Sequence, residues 1–199
     1  MNDLSLNKKI DDSIWVAKTL FSQGMVSGST ANLSFLHDGN IYISKTGGCF
    51  GLIKSDDFSK LDLNGSRLND VAPSKEYPLH LSLYNKNADI GAIIHTHSFY
   101  STIWSIVCSG EKVMPKYTPY LEMKLGKIGL VPYAMPGSKE LFSLFDKNID
   151  SNINGYLLKN HGPIVGDSDI MSAFYSLHEL EESSKIAWNL KDLRIGEIK

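Results

Sequence analysis

The sequence predicts an α/β fold in which helices pack on a mixed or largely antiparallel sheet. Three observations carry this expectation. Apolar residues recur at helical spacing in some stretches and alternate along others. The pair Asp38-Gly39 sits between two alternating segments, a strong short-range hairpin signal. Hairpins and single crossovers are interleaved with helices, which suits a sheet with antiparallel pairs better than a purely parallel one.

Taken in order, Ile10, Ile14, Val16, Ala17, Leu20 and Phe21 give residues 8–23 a helical stripe closed by Gly24. Ala31 to Leu36 and Ile41 to Ser44 form the hairpin about Asp38-Gly39. Asn64-Gly65, between Leu61-Asp62-Leu63 and Arg67-Leu68, predicts a second hairpin. A helix is expected from Pro73-Ser74 through Tyr84, then a strand over Ile90 to His97 and a helix over Phe99 to Cys108. Ile128 to Tyr133 is a predicted strand and Ser138 to Phe145 a helix. Gly155 to Lys159 is a strand with Ile164-Val165 as its short partner. One long amphipathic helix runs from Asp169 to about Lys191.

The 199 residues suit one domain, taken as 1–199, and 42% hydrophobic content supplies a core. Twenty Lys and Arg stand against 22 Asp and Glu, so no basic excess points to nucleic acid. No stretch approaches the ~18 apolar residues of a membrane span, so no membrane partner is expected. Met1 to Ile10 has no apolar signal core, and a cytoplasmic location follows as the expectation. Cys49 and Cys108 lie in unrelated contexts and are expected as buried thiols of a reducing compartment.

The histidines carry the chemistry. His95 and His97, two apart on a predicted strand, share a face, and two imidazoles on one face make half of a zinc site. Alone, they would equally suit two partly exposed histidines at a strand end. His161, between Asn160 and Gly162-Pro163, follows another short apolar strand and can project into a cleft. Three imidazoles leave coordination positions open for a substrate. Glu76 lies at a helix start, where the helix dipole already favours a carboxylate. It is also placed to act as an acid/base group or as a metal ligand displaced by substrate. Gly28 to Ser34 and Thr46-Gly47-Gly48 are rich in the small and hydroxyl residues that cradle phosphates, although ordinary turn chemistry explains each segment alone. His178-Glu179 starts no zincin motif, because position 182 is Glu. Glu179, Glu181 and Glu182 are expected on a solvated face, His80 as a surface or packed histidine, and His37 in the turn at Asp38-Gly39.

Together, Ser29-Thr30-Ala31-Asn32-Leu33-Ser34, Thr46-Gly47, Pro73-Ser74-Lys75-Glu76, His95-Thr96-His97 and Asn160-His161-Gly162 resemble the class II sugar-phosphate aldolases of the aldolase/adducin family, in order and spacing, over about residues 10–190. The resemblance implies a three-layer α/β/α fold around a central, mainly antiparallel mixed sheet. It implies Zn2+, or another divalent metal, held by His95, His97 and His161, with Glu76 as a further ligand that moves protons. It implies a phosphate pocket at Asn32, Thr46, Gly47 and Ser74, and a homo-oligomer, commonly a tetramer, with sites at subunit boundaries.

Aldolases of the family often carry Ser-Ser where this chain has Ser74-Lys75. Tyr117-Thr118-Pro119-Tyr120-Leu121, Gly129-Leu130-Val131-Pro132-Tyr133 and Glu179-Leu180-Glu181-Glu182-Ser183 look like the branch of 3-oxo-tetronate 4-phosphate decarboxylases. That branch implies decarboxylation of a four-carbon sugar acid phosphate to dihydroxyacetone phosphate and CO2 through a metal-stabilised enediolate. Tyr117 and Tyr120 become expected substrate contacts. Lys75 is either a cation for the doubly anionic substrate or a solvated helix-start lysine. Two other readings remain at this stage: an aldolase of the fuculose-phosphate type, and a non-catalytic, adducin-like scaffold.

Overall fold

The computed structural model describes residues 3–109 and 113–198. Seven strands form one open sheet: β1 (Asn32–His37), β2 (Asn40–Ser44), β3 (Phe58–Leu61), β4 (Ala92–His95), β5 (Ile128–Val131), β6 (Gly155–Leu158) and β7 (Gly162–Asp167). Their order is β3-β2-β1-β4-β7-β6-β5. Every adjacent pair is antiparallel except β5 with β6. The helices are α1 (Leu4–Ser22), α2 (Tyr77–Lys86), α3 (Phe99–Val107), α4 (Tyr120–Leu125), α5 (Lys139–Asn148) and α6 (Ile170–Leu190).

Strand alternation sorts the side chains into two cores. Leu33, Phe35, Ala92, Ile94 and Val165 pack on one face with residues of α1, α4 and α6. Ile41, Ile43, Ile93, Tyr156 and Ile164 pack on the other with α2 and α5. α3 lies against α6. The result is the expected three-layer α/β/α arrangement.

The hairpin at Asp38-Gly39 forms, with Ser34 opposite Ile43 and His37 opposite Asn40. Both turn residues take positive φ, 46° and 70°, as a two-residue turn of matching twist requires. The second predicted hairpin is reduced to an isolated bridge between Leu61 and Arg67. There the Asp62 carboxylate accepts from the N–H groups of Asn64 and Ser66, so an Asx-type turn competes with the ladder. α1 starts at Leu4, ahead of its apolar stripe, because the Asp3 side chain caps it through Ser5 and Leu6. α2 starts at Tyr77, after the predicted Pro73-Ser74, because Ser74 N–H still donates to Ser44 O at 3.0 Å and keeps the chain extended. β7 is longer than Ile164-Val165, since it pairs with β4 on one side and β6 on the other. α4 and two short 3-10 turns, Phe50–Leu52 and Ser55–Asp57, are elements that the periodicity does not show.

Three side-chain expectations change, and one open alternative is resolved. His37 belongs to β1, is buried, and lies 2.6 Å from the Asp3 carboxylate, tying the α1 cap to the sheet. Cys108 is a buried free thiol as expected, but Cys49 is only half-buried, because it stands just outside the sheet at a 3-10 turn. His80 is packed, with no exposure. Glu181 is not on a solvated face. It is 8% exposed and accepts from Tyr100 N, Ser101 N and Ser101 Oγ at 2.6–2.9 Å. The two N–H groups are otherwise unpaired donors at the start of α3, and α6 brings this carboxylate to them. Glu181→Ala leaves the donors buried without an acceptor, so a loss of about 2–4 kcal/mol of stability is expected in urea unfolding. Glu181→Gln retains one acceptor oxygen and should lose clearly less.

Candidate active site

Antiparallel pairing gathers three chain positions at one end of the sheet. Asn32 begins β1, His95 ends β4, and the two are cross-strand partners. His95 is also opposite Ile164 of β7, which starts just after His161. A fourth segment folds over this end, where Lys45 bridges Pro73 and Thr46 N–H donates to Ala72 O at 3.0 Å. This crossing delivers Ser74 and Glu76.

His95 is fully buried. Its Nδ1 lies 2.8 Å from the Pro163 carbonyl oxygen, which can only accept, so Nδ1 carries the proton and Nε2 is bare. β4 ends at His95, earlier than predicted. Thr96 N–H nevertheless still donates to Pro163 O at 3.2 Å, and the His97 ring remains beside His95. His97 opens to solvent. His161 enters from the Asn160-His161-Gly162 turn, where Asn160 has φ 56°. Gly162 is required there, because a Cβ would run into the Thr96 carbonyl oxygen.

The three rings meet edge to face, with centroids 4.8–5.2 Å apart. One ligand atom from each lies within 4.8 Å of the others. His95 Nε2 and both His161 nitrogens are buried without a hydrogen-bond partner. Orphaned buried nitrogens are costly unless something binds them. Burial, then the proximity of His95, pushes the His161 pKa down to about 3, so protonation does not relieve the cost. Neutral imidazoles with bare nitrogens are the donor set a divalent metal requires, and these residues fit one.

Glu76 stands at the N-cap position of α2 with its side chain 14% exposed. Its Oε2 is 3.3 Å from His95 Nε2 and its Oε1 is 3.5 Å from His161 Nε2. Burial works against its charge, while the Asn32 amide favours the charged form. Asn32 Nδ2 donates to Oε2 at 3.2 Å, and Asn32 Oδ1 lies 2.6 Å from His80 Nε2. Ser74 is buried, and its Oγ accepts from Glu76 N–H at 3.3 Å.

Thr46, Gly47 and Lys75 are exposed around this cluster, and Gly47 has φ 67°. Tyr117 and Tyr120 belong to the other helical layer. Tyr117 lines a cavity of about 300 Å³ with Leu121, Glu122, Ser183 and Ile186, and Tyr120 is exposed at the start of α4. His95, His97, His161, Glu76, Asn32 and Ser74 thus converge, while the two tyrosines stand apart from them within one chain. His80 and Ser34 are the residues at this end that sequence reasoning missed. The signal was present: Asn32 and Ser34 alternate on one strand face, and His80 is four positions after Glu76.

A mixed sheet between helical layers carries three histidines and a carboxylate at one end, a donor set that fits a divalent metal. The chain matches the class II aldolase and adducin N-terminal domain over residues 12–188 and belongs to that family. It is similar to the 3-oxo-tetronate 4-phosphate decarboxylase of Escherichia coli strain K12, at 36% identity over 191 residues, covering 92% of this chain and 90% of the relative. It is also similar to the L-fuculose phosphate aldolase of Methanocaldococcus jannaschii, at 36% identity over 173 residues, covering 87% of this chain and 92% of that one. The crystal structure of YgbL from Escherichia coli superposes with a TM-score of 0.93 at 32% identity, covering 98% of this chain and 95% of YgbL. The chain is an enzyme of the lyase class, which sets the scaffold reading aside. Among the described residues no helix is long and apolar enough to cross a membrane.

Proposed function

We propose that the protein decarboxylates a 3-oxo-tetronate 4-phosphate to dihydroxyacetone phosphate and CO2, with Glu76 as the proton carrier. The observation that carries this is the ionised Glu76 carboxylate facing two buried imidazole nitrogens that make no hydrogen bond. His95, His97 and His161 would hold the cation, with Glu76 as a ligand that substrate displaces. Three imidazoles suit zinc. When bound, a divalent cation polarises a substrate carbonyl and stabilises the negative charge that develops on its oxygen.

The chain's own residues supply the rest. The buried Ser74, the exposed Thr46 and Gly47, and the second N–H of Asn32 surround the position proposed for the phosphate. The bond between the carboxylate carbon and its neighbour breaks, CO2 leaves, and the electron pair moves toward the adjacent carbonyl. Glu76 takes up a proton from solvent and passes it to the carbon left behind, completing dihydroxyacetone phosphate. Free Cys49 and Cys108 suit a reducing cytoplasm. In a homo-oligomer, which we take to be a tetramer, Tyr117 or Tyr120 would reach substrate in a neighbouring subunit.

Incubating the zinc-loaded protein with 3-oxo-tetronate 4-phosphates should release CO2 and dihydroxyacetone phosphate in equal amounts. The second reading, an aldolase, is supported by the 36% identity to the L-fuculose phosphate aldolase of Methanocaldococcus jannaschii. Release of dihydroxyacetone phosphate and an aldehyde from a ketose 1-phosphate, with no turnover of the oxo acid, would establish it instead.

Lys75 bears on the same choice. It is exposed, one residue from both Ser74 and Glu76. A cation there has an electrostatic purpose for a substrate bearing phosphate and carboxylate together. Lys75→Ser is expected to lower kcat/KM for the oxo acid phosphate at least ~tenfold, about 1.4 kcal/mol of transition-state binding. Inhibition by dihydroxyacetone phosphate, which lacks the carboxylate, should weaken less. Unchanged values for both ligands would leave Lys75 as a solvated side chain.

A further inference from the structure

His80 is fully buried on α2, and the mechanism above does not use it. Its two ring nitrogens meet different partners: Nε2 lies 2.6 Å from Asn32 Oδ1 and Nδ1 lies 2.7 Å from Ser34 Oγ. Ser34 Oγ is in turn 2.8 Å from Tyr84 OH. Asn32 and Ser34 alternate on the sheet face that α2 covers, which is why one ring spans both.

Donor and acceptor chemistry gives this chain one direction. An ionised carboxylate only accepts, so the NH2 end of Asn32 must face Glu76. Asn32 Oδ1 therefore faces His80, and Nε2 must carry the ring proton. Nδ1 is then bare and accepts from the Ser34 hydroxyl. Ser34 Oγ accepts in turn from Tyr84 OH. Four donated hydrogen bonds run one way, from Tyr84 through Ser34, His80 and Asn32 to Glu76. An amide alone can flip between its two ends; this one cannot without reversing the whole buried chain.

We propose that His80 is a positioning residue for Glu76: its Nε2–H, oriented by Ser34 and Tyr84, locks the Asn32 amide so that its NH2 end holds the Glu76 carboxylate against the histidine cluster. The function of this lock rests on the decarboxylase reading, but its direction does not. Networks of this kind rigidify a site when every member is paired, and a catalytic carboxylate loses effectiveness when its orientation drifts. The carboxylate's placement is set from α2 and β1 as well as by the cluster itself.

The first measurement needs no turnover. In protein labelled with 15N-histidine, the His80 ring, assigned by its loss in His80→Gln, should show a protonated Nε2 and a bare Nδ1 at neutral pH. An Nδ1–H tautomer or a cationic ring overturns the proposal, whatever the substrate proves to be. The second measurement is kinetic, on zinc-loaded protein with unchanged metal content. His80→Gln keeps an N–H donor toward Asn32 and should retain kcat within ~threefold, whereas His80→Phe should lose at least ~tenfold in kcat with KM moving less. Equal losses in two folded variants, or a near-normal kcat in His80→Phe, would overturn the positioning role. If the wild type fails to turn over the oxo acid phosphate, the decarboxylase reading falls, and the ring spectrum alone decides the chain's direction.

Discussion

His95→Ala is expected to abolish tight zinc binding and to lower kcat/KM by at least ~10³-fold, about 4 kcal/mol of transition-state stabilisation. Two properties of His95 make it the most sensitive of the three imidazoles. It is fully buried, so no water ligand can easily replace it. Its tautomer is set by the Pro163 carbonyl, which leaves Nε2 bare before any ion arrives. His97→Ala should act in the same direction, although its ring opens to solvent and a water has access there. The check is zinc content after dialysis, together with thermal unfolding with and without a chelator. A ligand that binds only the folded state raises its stability. Chelation should therefore lower the Tm of the wild type and leave that of His95→Ala unmoved. Full zinc occupancy and activity in both His95→Ala and His97→Ala would remove the metal centre from the scheme.

The histidine cluster was legible in the sequence because its parts are local. His95 and His97 are two positions apart at the end of β4, and Asn160-His161-Gly162 carries the turn chemistry that a β6–β7 connection needs. The Asp38-Gly39 hairpin was legible for the same reason. What stayed hidden depends on pairs far apart in sequence. Glu181 looked like one member of a charged helix face, and only the approach of α3 to α6 makes it a buried cap across 80 positions. The Asn32–His80 and Ser34–Tyr84 contacts span 48 and 50 positions. In the sequence, His80 read only as a surface or packed histidine because strand alternation in β1 and helical spacing in α2 were read separately. The second hairpin was over-predicted because Asn64-Gly65 signals a turn but does not guarantee a ladder beyond it; here Asp62 takes the turn's N–H groups.

Glu76→Gln should leave the fold intact and cost ~10²–10⁴-fold in kcat. The amide has the volume of the carboxyl and retains an oxygen to accept from Asn32, so the α2 start and the Asn32 contact are kept. What it loses is the ability to take up and release a proton, and the carboxylate oxygen that faces His161. These two losses can be told apart. If proton transfer is the whole role, zinc content and KM stay near wild-type values while kcat collapses. If Glu76 acts chiefly as a ligand, zinc is held more weakly and activity recovers partly at high zinc concentration. The position of Glu76, between bare imidazole nitrogens on one side and Asn32 on the other, predicts the first outcome with a smaller share of the second. The proton should also be visible in the product. In deuterated water the wild type should place one solvent deuterium on the carbon that carried the carboxylate. Glu76→Gln should do so more slowly and with less stereochemical control. A near-normal kcat in Glu76→Gln would move the proton to another donor, and Tyr117 or Tyr120 of a neighbouring subunit would be next to test.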